Sequence, residues 1–150
     1  FVKNADGSIG FVEDVSSYGS NLVKNAIRGR GDLRAALAGI KATEDAHHII
    51  PVQLLKENKI VQMAVEGGFD FNSTINGIGI EKFVKATGAG RHGPHPNYTA
   101  QIRKNLETFS TTKNLTPQMC KEYLEEITKD IRNTITTTTG KINEIDLNLN

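Results

Sequence analysis

Tryptophan is absent from this chain, and cysteine occurs once, at Cys120. A lone thiol excludes an internal disulfide and a cysteine-based zinc cluster, and it reads as a small buried hydrophobe. Aromatic residues are only 6% of the total, so most core volume must come from Ile, Leu, Val and Ala. No apolar run is long enough to cross a bilayer. Phe1 to Gly10 has neither the basic start nor the apolar stretch of a signal peptide. Because the first residue is Phe rather than Met, we expect a piece of something longer, with targeting information in the missing part. At 150 residues and 37% hydrophobic content, a single domain over 1–150 with a real core is expected.

Charge of either sign is also scarce in the sum, which is +1, but not locally. Residues 1–43 carry +2, 44–80 carry −3, 81–113 carry +4 and 114–150 carry −2. A basic block attracts phosphate even in a nearly neutral chain, although a solvated helix face explains it equally well.

Gly, Ser and Asn crowd residues 1–31, which read as a mobile lead-in with one short helix near Asn21–Arg28. A short helix is expected over 32–40, with Asp32 as N-cap and Gly39 near its end. Strand character appears in "AHHII" (46–50) and stops at Pro51. Helical spacing of Leu54, Leu55, Ile60, Val61 and Val65 predicts one helix over 52–68, ended by Gly67-Gly68. "NSTINGIGI" (72–80) is turn chemistry leading into a strand, and 81–90 reads as a helical turn or two. Pro96 opens an amphipathic helix over 95–109, with Tyr98, Ile102, Leu106 and Phe109 on one stripe. Thr116 and Pro117 open another, whose stripe runs from Met119 to Ile135. The tail to Asn150 carries little information. Helices with two short strands make the fold class α+β.

Histidine is as scarce as the rest, yet all four lie in two pairs, "DAHHIIP" (45–51) and "GRHGPHPNY" (90–98). His47 and His48 are neighbours, and neighbouring side chains of a strand face opposite ways. They can serve one site only where the strand ends or bends, and Pro51 provides for that. His92 and His95 flank Gly93-Pro94 at a helix entrance, a rigid turn that can aim both at one point. Imidazole is the commonest metal ligand among side chains and the usual general base near neutral pH.

The segments "AHHIIPVQLL", "NGIGI" and "RHGPHPNYTAQI", spanning about 44–106, resemble the AHH nucleases, a branch of the HNH/endonuclease VII superfamily. Domains of that branch are often the C-terminal toxin modules of secreted polymorphic toxins. The resemblance implies a ββα-metal core over 44–109: "AHHII", "NGIGI" and the helix after His95 clasping one divalent cation. A C-terminal helix over 115–138 would follow. It implies that His48 is the base that activates water and His47 a metal ligand. His95 is then the second ligand and His92 the third, or a phosphate contact. Asn76 resembles the asparagine of the HNH pattern, fixing the loop and orienting the base, although Asn-Gly is also an ordinary turn. Arg91 could neutralise phosphate. Tyr98 falls on an apolar stripe, where packing is the better reading, with its hydroxyl within reach of the site. Asp45 could hold a histidine ring in place. Lys82, Lys85, Arg103 and Lys104 would form a track for the nucleic-acid backbone.

These implications make the expected function a metal-dependent endonuclease cutting DNA with little sequence specificity, delivered as an antibacterial toxin. The producer would secrete or inject it to act in the target-cell cytoplasm, and would itself hold a cognate immunity protein. An RNA-cleaving toxin of the same fold is the alternative. A different class, a non-catalytic module with a structural histidine-metal site, would use all four histidines as ligands. In a third class the histidines are unconnected and the domain is an adaptor. The ion's identity stays open among Mg, Mn, Zn and Ni.

Overall fold

The computed structural model describes residues 2–3, 9–10 and 19–149. Of the mobile lead-in expected at 1–31, residues 1, 4–8 and 11–18 lie outside the described residues, and the last part, from residue 19, is ordered structure. Val2–Lys3 (β1) and Ile9–Gly10 (β2) form a two-residue antiparallel pair. Asn21–Arg28 forms the first helix (α1), capped by Ser20, whose hydroxyl accepts from Val23 N. Its Val23 and Ile27 are fully buried, so α1 is core and not lead-in.

After a turn of 3-10 helix at Arg30–Asp32, Leu33–Ala36 (α2) is shorter than the helix expected over 32–40. Gly39, at φ +81°, turns the chain into Glu44–His48 (β3). That strand starts and ends two residues before the expected "AHHII". Ile49 and Ile50 leave the ladder: Ile49 N donates to Asn76 O at 2.8 Å and Ile50 N to Asn76 Oδ1 at 2.7 Å.

The single helix expected over 52–68 is two, Val52–Glu57 (α3) and Lys59–Glu66 (α4). Asn58 between them is extended, and its Oδ1 accepts from Ile60 N and Val61 N at 2.9 and 3.3 Å. An asparagine side chain competes for backbone donors in this way, so the apolar period runs on while the helix restarts.

Gly77–Glu81 (β4) pairs antiparallel with β3, setting His48 opposite Gly77 and His47 opposite Ile78. A Cβ at Gly77 would come within 2.5 Å of the Leu33 side chain, so only glycine lets α2 lie against the strand there. The helical turn expected over 81–90 is absent. Val84 N bonds Ala89 O at 2.8 Å and His92 N bonds Glu81 O at 3.0 Å, a tight loop that returns the chain to the end of β4. Gly90, at φ +89° with Lys82 O in the space a Cβ would fill, makes that return.

Pro96–Phe109 (α5) and Pro117–Thr137 (α6) match the expected helices closely. Among the described residues there are thus six α-helices and a β3-β4 sheet in an α+β arrangement. The core is one cluster that runs from Val23 to Leu147. The tail contributes to it: Ile142, Ile145 and Leu147 are buried, at a spacing that fits no periodic element. Asn143 Oδ1 accepts from Asn97 N and Tyr98 N, 2.7 and 3.3 Å, and so caps α5 from outside. Gln101 exchanges bonds with Ile145 O and Leu147 N.

Asn76 ties the two halves of the ββα unit together. Its fully buried amide accepts from Ile50 N and donates to Ile50 O (3.2 Å) and Phe71 O (3.1 Å). Asn76→Ala strips partners from three backbone groups. It should lower the unfolding free energy by about 2–4 kcal/mol, measured by urea titration. A loss below about 1 kcal/mol would mean that the loop does not depend on this amide.

Candidate active site

Three elements bring the histidines to one place. β3 ends at His48 and the bend at 49–50 follows, so both members of the strand pair border one cleft. The loop after β4 returns His92 to the sheet edge. His95 sits at the N-cap of α5 without using its side chain as a cap, because Asn143 serves that helix end. The cleft is about 470 Å³ and is lined by all four histidines with Ala46, Pro51, Val52, Gln53, Pro96 and Thr99.

His47, His92 and His95 form one group, each offering a ring nitrogen within 4.8 Å of the others. Ring centroids lie 4.9 Å apart for His47–His92, 5.2 Å for His47–His95 and 5.6 Å for His92–His95. The far side of two of the rings is fixed. His92 Nδ1 donates to Asp45 Oδ2 at 2.9 Å. His95 Nδ1 donates to Thr99 Oγ1 at 3.3 Å, and that hydroxyl donates onward to His95 O. Both rings then have their Nε2 lone pair left for the cluster, which is how metal-ligating histidines are held.

His47 is 2% exposed, and its Nδ1 stands 3.1 Å from His92 Nε2. Its Nε2 is buried with no hydrogen-bond partner among the described residues. A buried polar atom without a partner costs free energy. Burial pushes the His47 pKa well below the ordinary 6.5, and the neighbouring His92, His95 and His48 push the same way. Burial and then His92 lower that of His95. Neutral imidazole is the ligating form. The donor set therefore fits a divalent transition-metal ion.

His48 stands apart from that group. Its ring stacks on Phe71 (centroids 5.0 Å, planes 22° apart), and its Nε2 lies 2.8 Å from Asn72 Oδ1. Burial lowers its pKa, the Asn72 bond works against that, and the positive charge of Arg30 adds to the lowering.

Several residues expected at the substrate are committed elsewhere. Asn76 is fully buried and fixes the loop, as expected of it, through Ile50 N, Ile50 O and Phe71 O. Arg91 bonds Gly140 O at 2.7 Å and Ile135 O at 2.9 Å, closing the end of α6 instead of facing the cleft. Tyr98 is fully buried beneath His47 and His95, and its hydroxyl donates to Ile49 O at 2.5 Å. Burial raises its pKa well above 10.0, so it remains a donor. Arg103 pairs with Glu57 at 2.6 Å on the surface. Lys82, Lys85 and Lys104 are exposed. Sequence reasoning missed Asn72, Thr99 and Arg30. Thr99 lies one turn after His95, and that i,i+4 relation was the available signal. Arg30, in "RGRG", was hidden by composition that reads as a loop.

An antiparallel strand pair and a following helix that converge on three histidines define a ββα-type nuclease fold with a candidate metal centre. The model of a nuclease family of the HNH/ENDO VII superfamily with conserved AHH matches residues 29–135. That span is more than half of the chain, which therefore belongs to this AHH family. The match reaches beyond the histidine segments to take in α2 and most of α6. No curated protein and no solved structure matches. Membership points to a nuclease, a hydrolase whose substrate is nucleic acid.

The lowered histidines link stability to pH. Between pH 6.5 and the lower values in the fold, the unfolded chain binds more protons than the folded one. Stability is therefore full above pH 6.5 and is lost as pH falls below it. The slope should approach about 1.4 kcal/mol per pH unit for each histidine still neutral in the fold. Urea unfolding of chelator-treated protein between pH 8 and pH 5 reads this directly. Stability that stays flat or rises on acidification would contradict it.

Proposed function

We propose that this chain is a metal-dependent endonuclease that hydrolyses DNA phosphodiester bonds with little sequence preference. The observation behind this reading is the division of labour among the histidines. Three are gathered within 4.8 Å, and the fourth borders the same cleft with a partner of its own. A structural zinc site fills four positions with protein ligands. Three leave room for substrate, and a separate imidazole leaves a group for proton transfer.

His47, His92 and His95 would hold one divalent cation; imidazole suits Zn, Ni or Mn, and Mg only with added oxygen ligands. When bound, the ion supplies neutralisation of the scissile phosphate and stabilisation of the leaving 3′ oxygen. His48, kept neutral by burial, takes the proton of the attacking water. Asp45 and Thr99 keep two rings turned toward the cluster. Tyr98 fills the space beneath and keeps water out of it.

An external water is what DNA hydrolysis requires, because DNA lacks the 2′-hydroxyl that can act as an internal nucleophile in RNA. This argument favours DNA over RNA. Lys82 and Lys85, on the exposed loop that ends at His92, and Arg30 beside His48 bring positive charge toward the backbone of a bound strand. Phosphate contacts of this kind give affinity without sequence readout. The likeness of the histidine segments to toxin modules supports the biological side of the proposal. The producer secretes or injects the domain, it acts in the target-cell cytoplasm, and an immunity protein protects the producer.

Supercoiled plasmid, linear duplex and total RNA, each with EDTA or one of Mg²⁺, Mn²⁺, Ni²⁺ and Zn²⁺, test the chemistry. Plasmid cleavage that needs a metal and falls about 10²–10⁴-fold in His48→Ala is expected. Cleavage of RNA alone would overturn the DNA assignment, and cleavage of nothing would overturn the enzyme.

Metal binding is tested separately by calorimetry, with one ion per chain expected. His92→Ala and His95→Ala should abolish it, and Asp45→Ala should weaken it about 10–100-fold. Unchanged affinity in His95→Ala would remove that residue from the ligand set. Expression in the bacterial cytoplasm should arrest growth, and His48→Ala should be harmless. Equal toxicity of both would refute the toxin role assigned to this site.

A further inference from the structure

The hydrogen bonds around His48 form a chain whose direction can be worked out from one end. It begins at α1. The carbonyl of Ala26 belongs to the last turn of that helix, where carbonyls lack intrahelical donors. Asn72 Nδ2 donates to Ala26 O at 2.8 Å. A carbonyl can only accept, so the Asn72 amide has one orientation: its NH₂ faces α1 and its Oδ1 faces His48. An amide oxygen can likewise only accept. The nitrogen 2.8 Å from it, His48 Nε2, must therefore be the one that carries the hydrogen.

We propose that Asn72 is a positioning residue that locks His48 in its Nε2–H tautomer, with Nδ1 as the nitrogen that receives a proton. The other tautomer would set two lone pairs against each other at Nε2 and Oδ1, and would present an N–H where a base is needed. Which nitrogen of a histidine is protonated is set by the bond the other one makes. Phe71 stacks on the ring and limits its rotation about the same bond. Asn72 is thus a bridge: α1 fixes the amide, and the amide fixes the base. This assignment rests on the reading of His48 as the base. It adds a residue that acts through His48 and touches no substrate itself.

The tautomer can be observed in the wild-type chain, with one variant needed only to assign the signals. In a nitrogen-15 histidine-labelled chain, two-bond correlations distinguish Nε2–H from Nδ1–H, and with only four histidines the His48 set is identified by its loss in His48→Gln. Spectra recorded above neutral pH, with and without Zn²⁺, should show His48 as Nε2–H in both. A predominantly Nδ1–H ring would overturn the proposal.

Asn72→Ala should give a mixed tautomer at His48 while the other three rings keep theirs. Its kcat should fall about tenfold or more, with KM changed less than about twofold, the signature of an interaction that matters in the transition state. Asn72→Asp keeps an acceptor toward His48 and should retain the Nε2–H tautomer, restoring part of kcat. A pure Nε2–H ring in a folded Asn72→Ala, or a kcat equal to wild type, would overturn the role of Asn72. Failure of the wild type to cut any nucleic acid would instead overturn the nuclease reading, and the spectra would still decide the tautomer.

Discussion

Neighbouring residues on a strand point to opposite faces, yet this chain brings His47 and His48 to a single cleft. That constraint shapes everything around the site. β3 must stop at His48, and it does so because the backbone donors of Ile49 and Ile50 turn aside to Asn76. Pro51 then starts α3 instead of extending the ladder. His47 points inward among Tyr98, His92 and His95, and His48 leans toward Phe71 and Asn72. One pair of adjacent residues thereby acquires two environments, a buried cluster of three imidazoles and a partly buried ring stacked on Phe71. Asn76 is the joint, buried at the heart of the fold.

The electrostatics follow from the same arrangement. Three imidazoles packed ring against ring cannot all be charged, and burial and mutual repulsion keep His47 and His95 neutral. Neutral rings keep their lone pairs for a cation. Among the described residues one carboxylate, Asp45, bonds the cluster, and it does so from behind, through His92 Nδ1. The negative charge thus sits behind the His92 ring and not in the cleft, where it would repel a phosphate.

Much of this could be read in the sequence. The two histidine pairs, the strand–turn–strand order and the proline-initiated helices α5 and α6 all carry local signals: Pro at the first helical turn, glycine at turns, a clear apolar stripe. Asp45 was also legible as a partner for a histidine. Other features were not, for definite reasons. Asn58 splits a helix whose hydrophobic period runs unbroken, since the break is made by a side-chain oxygen and leaves no mark on the period. Arg91 looks like a phosphate ligand in "RHGPH", but its partners are carbonyls at the end of α6, more than forty residues away. Ile142, Ile145 and Leu147 follow no helical or strand repeat, so the tail looked empty although it is core. Asn72 was passed over because it sits in a turn-rich stretch, and only the closeness of α1 gives it a task.

The tail strap has a consequence in time as well as in space. Asn143, which caps α5 at the helix end where His95 sits, is made 46 residues after its partner Asn97. Lys141, which holds the carbonyls of Gly88 and Gly90 in the loop leading to His92, also comes late. All four histidines therefore leave the ribosome, or any channel threaded from the N-terminal side, before the segment that fixes two of them in place. The nascent chain carries its chemical groups early and its geometry last.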